Sequence, residues 1–130
     1  DEARMGQVLG MVLRRDGHTV DVFTDPAACL EALEAAPYDL LLTDLRMPQM
    51  DGVALLKAAR AITPGLPVIL ITAHATVQTA VEAMREGAFE YVKKPFENAE
   101  CRALVRRALE MNRLARENRY LRAYIQGAIG

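Results

Sequence analysis

The stretch DLLLTDLRMPQMDG, residues 39–52, places a bare carboxylate directly after a short apolar run. Leu40, Leu41, Leu42 and Thr43 read as a strand apolar on both faces, the pattern of a parallel sheet covered by helices on either side. Asp44 then stands at its carboxyl end. Open α/β sheets bind their ligands in the crevice beyond the carboxyl ends of their strands, so a carboxylate there is aimed at chemistry or at a cation. A purely structural Asp44 would cap the following turn, as Asp does beside Gly and Pro. Asp51 and Gly52 already supply a turn and an N-cap before the periodic run Val53, Leu55, Leu56 and Ala59, which leaves Asp44 surplus to capping.

Working outward, strands and helices alternate. Met5, Val8, Leu9, Val12 and Leu13 recur at helical spacing and stop at Asp16-Gly17. Val20, Val22 and Phe23 alternate with polar neighbours as a half-buried strand, and Asp25-Pro26 opens a helix with an N-cap and a proline at its first position. That helix carries Ala28, Cys29, Leu30 and Leu33 toward Pro37. After the strand at 39–43 a helix runs from about Gly52 to Ile62, and VILIT, residues 68–72, is a second continuous apolar strand. A helix with Val77, Ala80, Val81 and Met84 closes at Gly87. FEYV, residues 89–92, is the next strand, and a long helical pattern runs from about Asn98 to beyond Ile125. The alternation predicts an α/β fold with a doubly wound parallel sheet.

The 130 residues are enough for one domain with a single sizeable core. Sixteen basic and seventeen acidic residues give a net charge of −1, which sets up no global field toward nucleic acid or anionic lipid. Direct nucleic-acid binding by this segment is not expected. No apolar run approaches the roughly 20 residues of a membrane span, and Asp1, Glu2 and Arg4 show no signal-peptide pattern, so the expected location is cytoplasmic. Cys29 and Cys101 sit among apolar neighbours as small hydrophobes rather than in a metal or redox motif. His18 and His74 are isolated, and His18 reads as a turn or strand-edge residue.

Equivalent ends of parallel strands lie side by side, so three consecutive strands bring Asp44, Thr72 and Lys94 to one edge of the sheet. A carboxylate, a hydroxyl and an ammonium fit phosphoryl transfer to the carboxylate, with Asp44 attacking and Thr72 and Lys94 holding phosphoryl oxygens. Asp1 and Glu2 could reach the same edge, and oxygen ligands gathered there suit Mg²⁺. Each residue has a blander reading. Lys94 could be a solvated lysine beside Lys93, although a Lys94–Pro95 bond, if cis, would fix its position. Thr72 could be an ordinary strand residue, and Tyr91 a half-buried one.

The motifs LLLTDLRMPQMDG, PVILITAHA and GAFEYVKKPF, in this order and spacing, resemble the receiver domain of bacterial two-component response regulators of the NtrC type. The resemblance covers residues 1 to about 110. It implies the flavodoxin-like strand order 2-1-3-4-5. It implies that Asp44 is the phosphoacceptor, charged by a sensor histidine kinase, that Thr72 is the switch hydroxyl and that Lys94 contacts the phosphate. Tyr91 would be the aromatic that turns inward after phosphorylation. Mg²⁺ would be held by Asp1, Asp44 and the backbone carbonyl of Arg46. The family's first strand and the first acid of its pair would precede Asp1, with that strand lying centrally between the Val20 and Leu40 strands. Ladder groups left buried there without partners cost on the order of 1–3 kcal/mol each, so another segment, from a partner chain or from outside residues 1–130, is expected to fill the place.

The tail extends past what a receiver requires, which divides the chain into a receiver at 1–108 and a helical linker at 109–130. A heptad places Leu104, Met111, Asn118 and Ile125 at a, and Arg107, Leu114, Leu121 and Ala128 at d, with Glu117 at g and Arg122 at e. This pattern suits a parallel homodimer in which Asn118 fixes the register. A solvated helical linker is the plainer reading. NtrC-type receivers resemble this arrangement too, since a helical linker carries them to an ATPase. Two other functions compete with the phosphoacceptor switch. A haloacid-dehalogenase-type phosphatase needs a second Asp two residues after its nucleophile, and Arg46 occupies that position. A degenerate receiver would serve unphosphorylated as a dimerisation or protein-binding module.

Overall fold

A computed structural model of the chain describes residues 2–44, 52–73, 76–94 and 97–129, with side chains described between residues 7 and 114 of those ranges. The elements are α1 (Glu2–Arg15), α2 (Pro26–Ala35), β1 (Leu41–Asp44), α3 (Gly52–Ile62), β2 (Val68–Thr72), α4 (Val77–Arg85), β3 (Glu90–Lys93) and α5 (Asn98–Ile129). Local chemistry sets several of these boundaries. Asp25 accepts a hydrogen bond from the Ala27 amide at the start of α2, with Pro26 behind it. Gly17 (φ 93°) and Gly87 (φ 99°) end α1 and α4 in the left-handed region that residues with a Cβ rarely adopt.

The described sheet has three parallel strands in the order β1-β2-β3, with Leu41 opposite Val68 and Ile69 opposite Glu90. All five residues of the central strand β2 are buried, which explains its unbroken apolar sequence. Alternate side chains leave opposite faces of a strand, and β2 divides accordingly. Val68 and Leu70 join Cys29, Leu33, Val53, Leu56 and Ala59 in one core beneath α2 and α3. Ile69 and Ile71 join Leu9, Leu13, Val92, Val105 and Ala108 in the other, beneath α1 and α5. The sheet is therefore wound on both faces.

The expected strand at Val20–Phe23 does not form. Residues 18–23 carry no ladder, and Val22 and Phe23 are exposed. Alternation and β-branching alone do not make a strand; a neighbour must accept its backbone groups, and no described strand lies beside this segment. Side chains hold it instead: Arg14 Nη2 donates to the Val20 carbonyl at 2.7 Å, and the Tyr38 hydroxyl donates to Asp21 Oδ2 at 2.6 Å.

A cavity of about 860 Å³ lies between this segment, α1, α2 and the outer edge of β1, lined by Leu9, Leu13, Leu33, Leu40 and Leu42 among others. It explains why Leu41 and Leu42 are only half-buried although their sequence matches β2 in character. The Leu41 amide donates to the Pro67 carbonyl at 3.0 Å, so by strand parity the backbone groups of Leu40 and Leu42 point toward the cavity. The three observed strands thus correspond to the last three of the order 2-1-3-4-5.

α5 runs without a break across the expected boundary at 108/109. Cys101, Val105 and Ala108 are buried against the sheet, whereas Met111 and Leu114 are exposed. Arg102 clamps Asp16 with two bonds of 2.7 and 2.6 Å. Arg107 pairs with Glu90 at 3.1 Å and lies 5.7 Å from the centre of the Phe89 ring. Leu104 packs into the core, so the first heptad of the seam pattern serves the domain instead.

Candidate functional site at the carboxyl edge of the sheet

β1 ends at Asp44, β2 at Thr72, and Lys94 follows β3 directly. Because the strands are parallel and in register, these ends meet. The Lys94 Nζ atom donates to Asp44 Oδ2 at 2.6 Å, across 50 positions of sequence. The pair is largely shielded, its side chains 21% and 12% exposed. The Lys94 amide also donates to the Thr72 carbonyl at 2.8 Å, which extends the β2–β3 ladder by one bond and fixes the backbone from which the lysine reaches. Lys93 points the other way and is exposed, as alternation along a strand requires.

Thr72 is fully buried beside this pair. Tyr91 stands three residues before Lys94 and is half-buried, packed against the core under α2 and α3. Its hydroxyl lies 2.8 Å from Thr79 Oγ1 on α4. The structure therefore brings Asp44, Lys94 and the Thr72 backbone together and turns Tyr91 toward α4. Asp1 and Arg46, the other expected metal ligands, lie outside the described residues, as do Pro95 and Asp51, the expected N-cap. No cluster of three metal-ligating side chains occurs among the described residues. Among the described residues, Asp44 supplies a hard anionic oxygen there.

Thr79 is the residue that sequence reading missed. Its signal was faint: Thr76 and Thr79 stand at the spacing of a capping box, but with Thr where Glu or Gln is usual.

The chain matches the family model of the response regulator receiver domain over residues 1–106. It belongs to that family. The DNA-binding transcriptional regulator NtrC of Escherichia coli is 46% identical over 109 residues, which are 84% of this chain and 23% of that protein. The chain thus spans about a quarter of the length of such relatives. The receiver domain of NtrX from Brucella abortus superposes with a TM-score of 0.79 at 31% identity, covering 84% of this chain and 92% of that one. The beryllofluoride-activated NtrC4 receiver domain dimer gives 0.81 at 27% identity, over 85% and 92%. The chain is a receiver domain like those of NtrC-type two-component response regulators, and the parallel sheet with helices on both faces is the fold of that family. Among the described residues no helix is long and apolar enough to cross a membrane.

Proposed function

We propose that this receiver is a phosphoacceptor switch in which Asp44 takes a phosphoryl group from the phosphohistidine of a sensor kinase. The 2.6 Å contact between Lys94 and Asp44 at the carboxyl edge of the sheet carries this reading. An Asp44 carboxylate oxygen attacks phosphorus, the P–N bond breaks, and its electron pair leaves with the imidazole. The carboxylate becomes an acyl phosphate whose negative charge now sits on phosphoryl oxygens. Lys94 follows that charge, because a charge-assisted bond to phosphate is stronger than one to a neutral ester oxygen. Thr72, buried alongside, offers its hydroxyl to a phosphoryl oxygen and links the event to Tyr91. Bound Mg²⁺ would neutralise phosphoryl charge, held by Asp44 together with Asp1 and the carbonyl of Arg46. The only turnover in this reading is the chain's own phosphorylation and dephosphorylation.

Residues 1–108 form the switch in this proposal, and 109–130 a helical linker to the effector part of a cytoplasmic transcriptional regulator. Ala108 is the last fully buried residue of α5 among those described, which supports that division. The exposed Met111 and Leu114 support a parallel homodimer along the linker, with no direct contact to nucleic acid by this segment. The test is mass spectrometry with acetyl phosphate and Mg²⁺. The wild type should gain one phosphoryl group, and Asp44→Asn, nearly the same shape but a poor nucleophile, should fold and gain none. Labelling that persists in the variant would remove Asp44 from the site. A wild type that never labels would favour an unphosphorylated binding module.

A further inference from the structure

The Thr79 hydroxyl meets more groups than a cap requires. It lies 3.1 Å from the Thr76 amide, 3.1 Å from the Thr76 carbonyl, 3.0 Å from the Thr76 hydroxyl and 2.8 Å from the Tyr91 hydroxyl. A hydroxyl has one proton and two lone pairs. Its one proton and two lone pairs are shared among the Thr76 N–H, carbonyl and hydroxyl and the Tyr91 hydroxyl, and in the Tyr91 pair either oxygen can donate. The Thr79 amide meanwhile donates to Thr76 Oγ1 at 3.1 Å, completing the reciprocal cap.

Among the described residues, little else ties α4 down. Ala83 is its one buried residue among those described, while Val77, Val81 and Met84 are 83%, 46% and 48% exposed. Lys57 and Glu86, both exposed, approach only to 3.7 Å. A hydrogen bond from the sheet to the first turn therefore adds to the burial of Ala83 in orienting this helix.

We infer that Thr79 is a positioning residue for Tyr91: its hydroxyl anchors the phenol to the N-terminal turn of α4, so that the ring and that turn move as one unit. The inference rests on the phosphoacceptor reading only for the event that sets the unit in motion. Whenever Tyr91 leaves its present position, Thr79 loses a hydrogen-bond partner and the first turn of α4 loses its tether to β3.

Nuclear magnetic resonance on the whole chain tests this, reading the ring signals of Tyr91 and the exchange of the Thr79 and Ala80 amides. Tyr91→Phe keeps the cap and removes the tether, and should speed exchange at those amides by about three- to tenfold. Thr79→Val should shift the Tyr91 ring signals, and Thr79→Ser, which keeps the hydroxyl, should restore them. With beryllofluoride as phosphoryl mimic, wild type and Thr79→Ser should show joint changes at Tyr91 and α4. In Thr79→Val the signals around Asp44 should respond while the α4 amides do not. Wild-type exchange in Tyr91→Phe, or an intact α4 response in Thr79→Val, overturns the inference. If beryllofluoride moves nothing around Asp44 in the wild type, the phosphoacceptor reading fails, and the comparison without beryllofluoride still decides the role of Thr79.

Discussion

Lys94 pairs with the Asp44 carboxylate in a site shielded enough for the charges to feel each other strongly. In the proposed switch it would have a second job, following the phosphate once Asp44 carries it. Lys94→Ala should therefore still gain mass from acetyl phosphate, more slowly, because the nucleophile is intact. Chemical-shift changes around Tyr91 should shrink in that variant, since the ion coupling phosphate to the end of β3 is gone. A full wild-type response at Tyr91 would argue that the coupling runs elsewhere. Leu56, fully buried in the core beneath α3, makes a useful contrast because it has no part in the chemistry. Leu56→Ala should cost roughly 2–5 kcal/mol in urea unfolding while leaving the labelled residue unchanged. The meeting of Asp44 and Lys94 beside the Thr72 backbone was legible because each residue ends or follows a strand, and parallel strands bring like ends together. Thr79 was not, because a hydroxyl that contacts a residue 12 positions away leaves no periodic trace.

At the scale of elements, Asp16 and Arg102 show a contact that no local pattern predicts. Asp16 follows α1, Arg102 sits in the first turns of α5, and the two meet across 86 positions. The bond from the Arg102 guanidinium holds the Asp16 carboxyl below its ordinary range, with the cation's charge adding to the effect. A carboxyl depressed by folding adds stability above its unfolded value near 3.8, and this is lost as pH falls through the lower folded value. Asp16→Asn should therefore be less stable than wild type at neutral pH, and the gap between their urea midpoints should close below about pH 4. A gap that stays constant across that range would show that the clamp acts through packing. Most element boundaries could be read from the chain because caps and glycines are local chemistry: Asp25-Pro26, Gly17 and Gly87 each act where they stand. Val20–Phe23 could not, because whether alternating residues become a strand depends on a neighbour outside their own sequence. The strand read at Leu40–Thr43 forms one residue later, as Leu41–Asp44, and its half-burial reflects the cavity beside it.

At the scale of the whole molecule, two surfaces of the described residues suit another chain, and each predicts a different association. Along β1, Leu40 and Leu42 turn backbone groups toward an apolar cavity, and an uncovered strand edge templates pairing with another strand. Residues 1–130 by themselves should therefore aggregate or recruit a strand at this place, and Leu42→Lys, which puts a charge on the edge, should suppress that association. Along α5, Met111 and Leu114 are exposed at a and d spacing, and the same spacing continues in sequence through Asn118, Leu121 and Ile125. A parallel pair would place Leu114, Leu121 and Ile125 in its seam and Asn118 opposite Asn118. Fully burying a leucine or isoleucine side chain is worth roughly 1.5–3 kcal/mol, against an association cost of about 4–15 kcal/mol, so so short a seam supports only a modest dimer. Leu121→Asp would put two carboxylates in that seam far from Asp44. Sedimentation should show the variant losing the dimer while acetyl phosphate still labels it, and any association that survives Leu121→Asp but yields to Leu42→Lys belongs to the β1 edge. A wild type that sediments as a monomer at high concentration, or a Leu121→Asp and Leu42→Lys double variant that still dimerises, would leave α5 as a solvated linker.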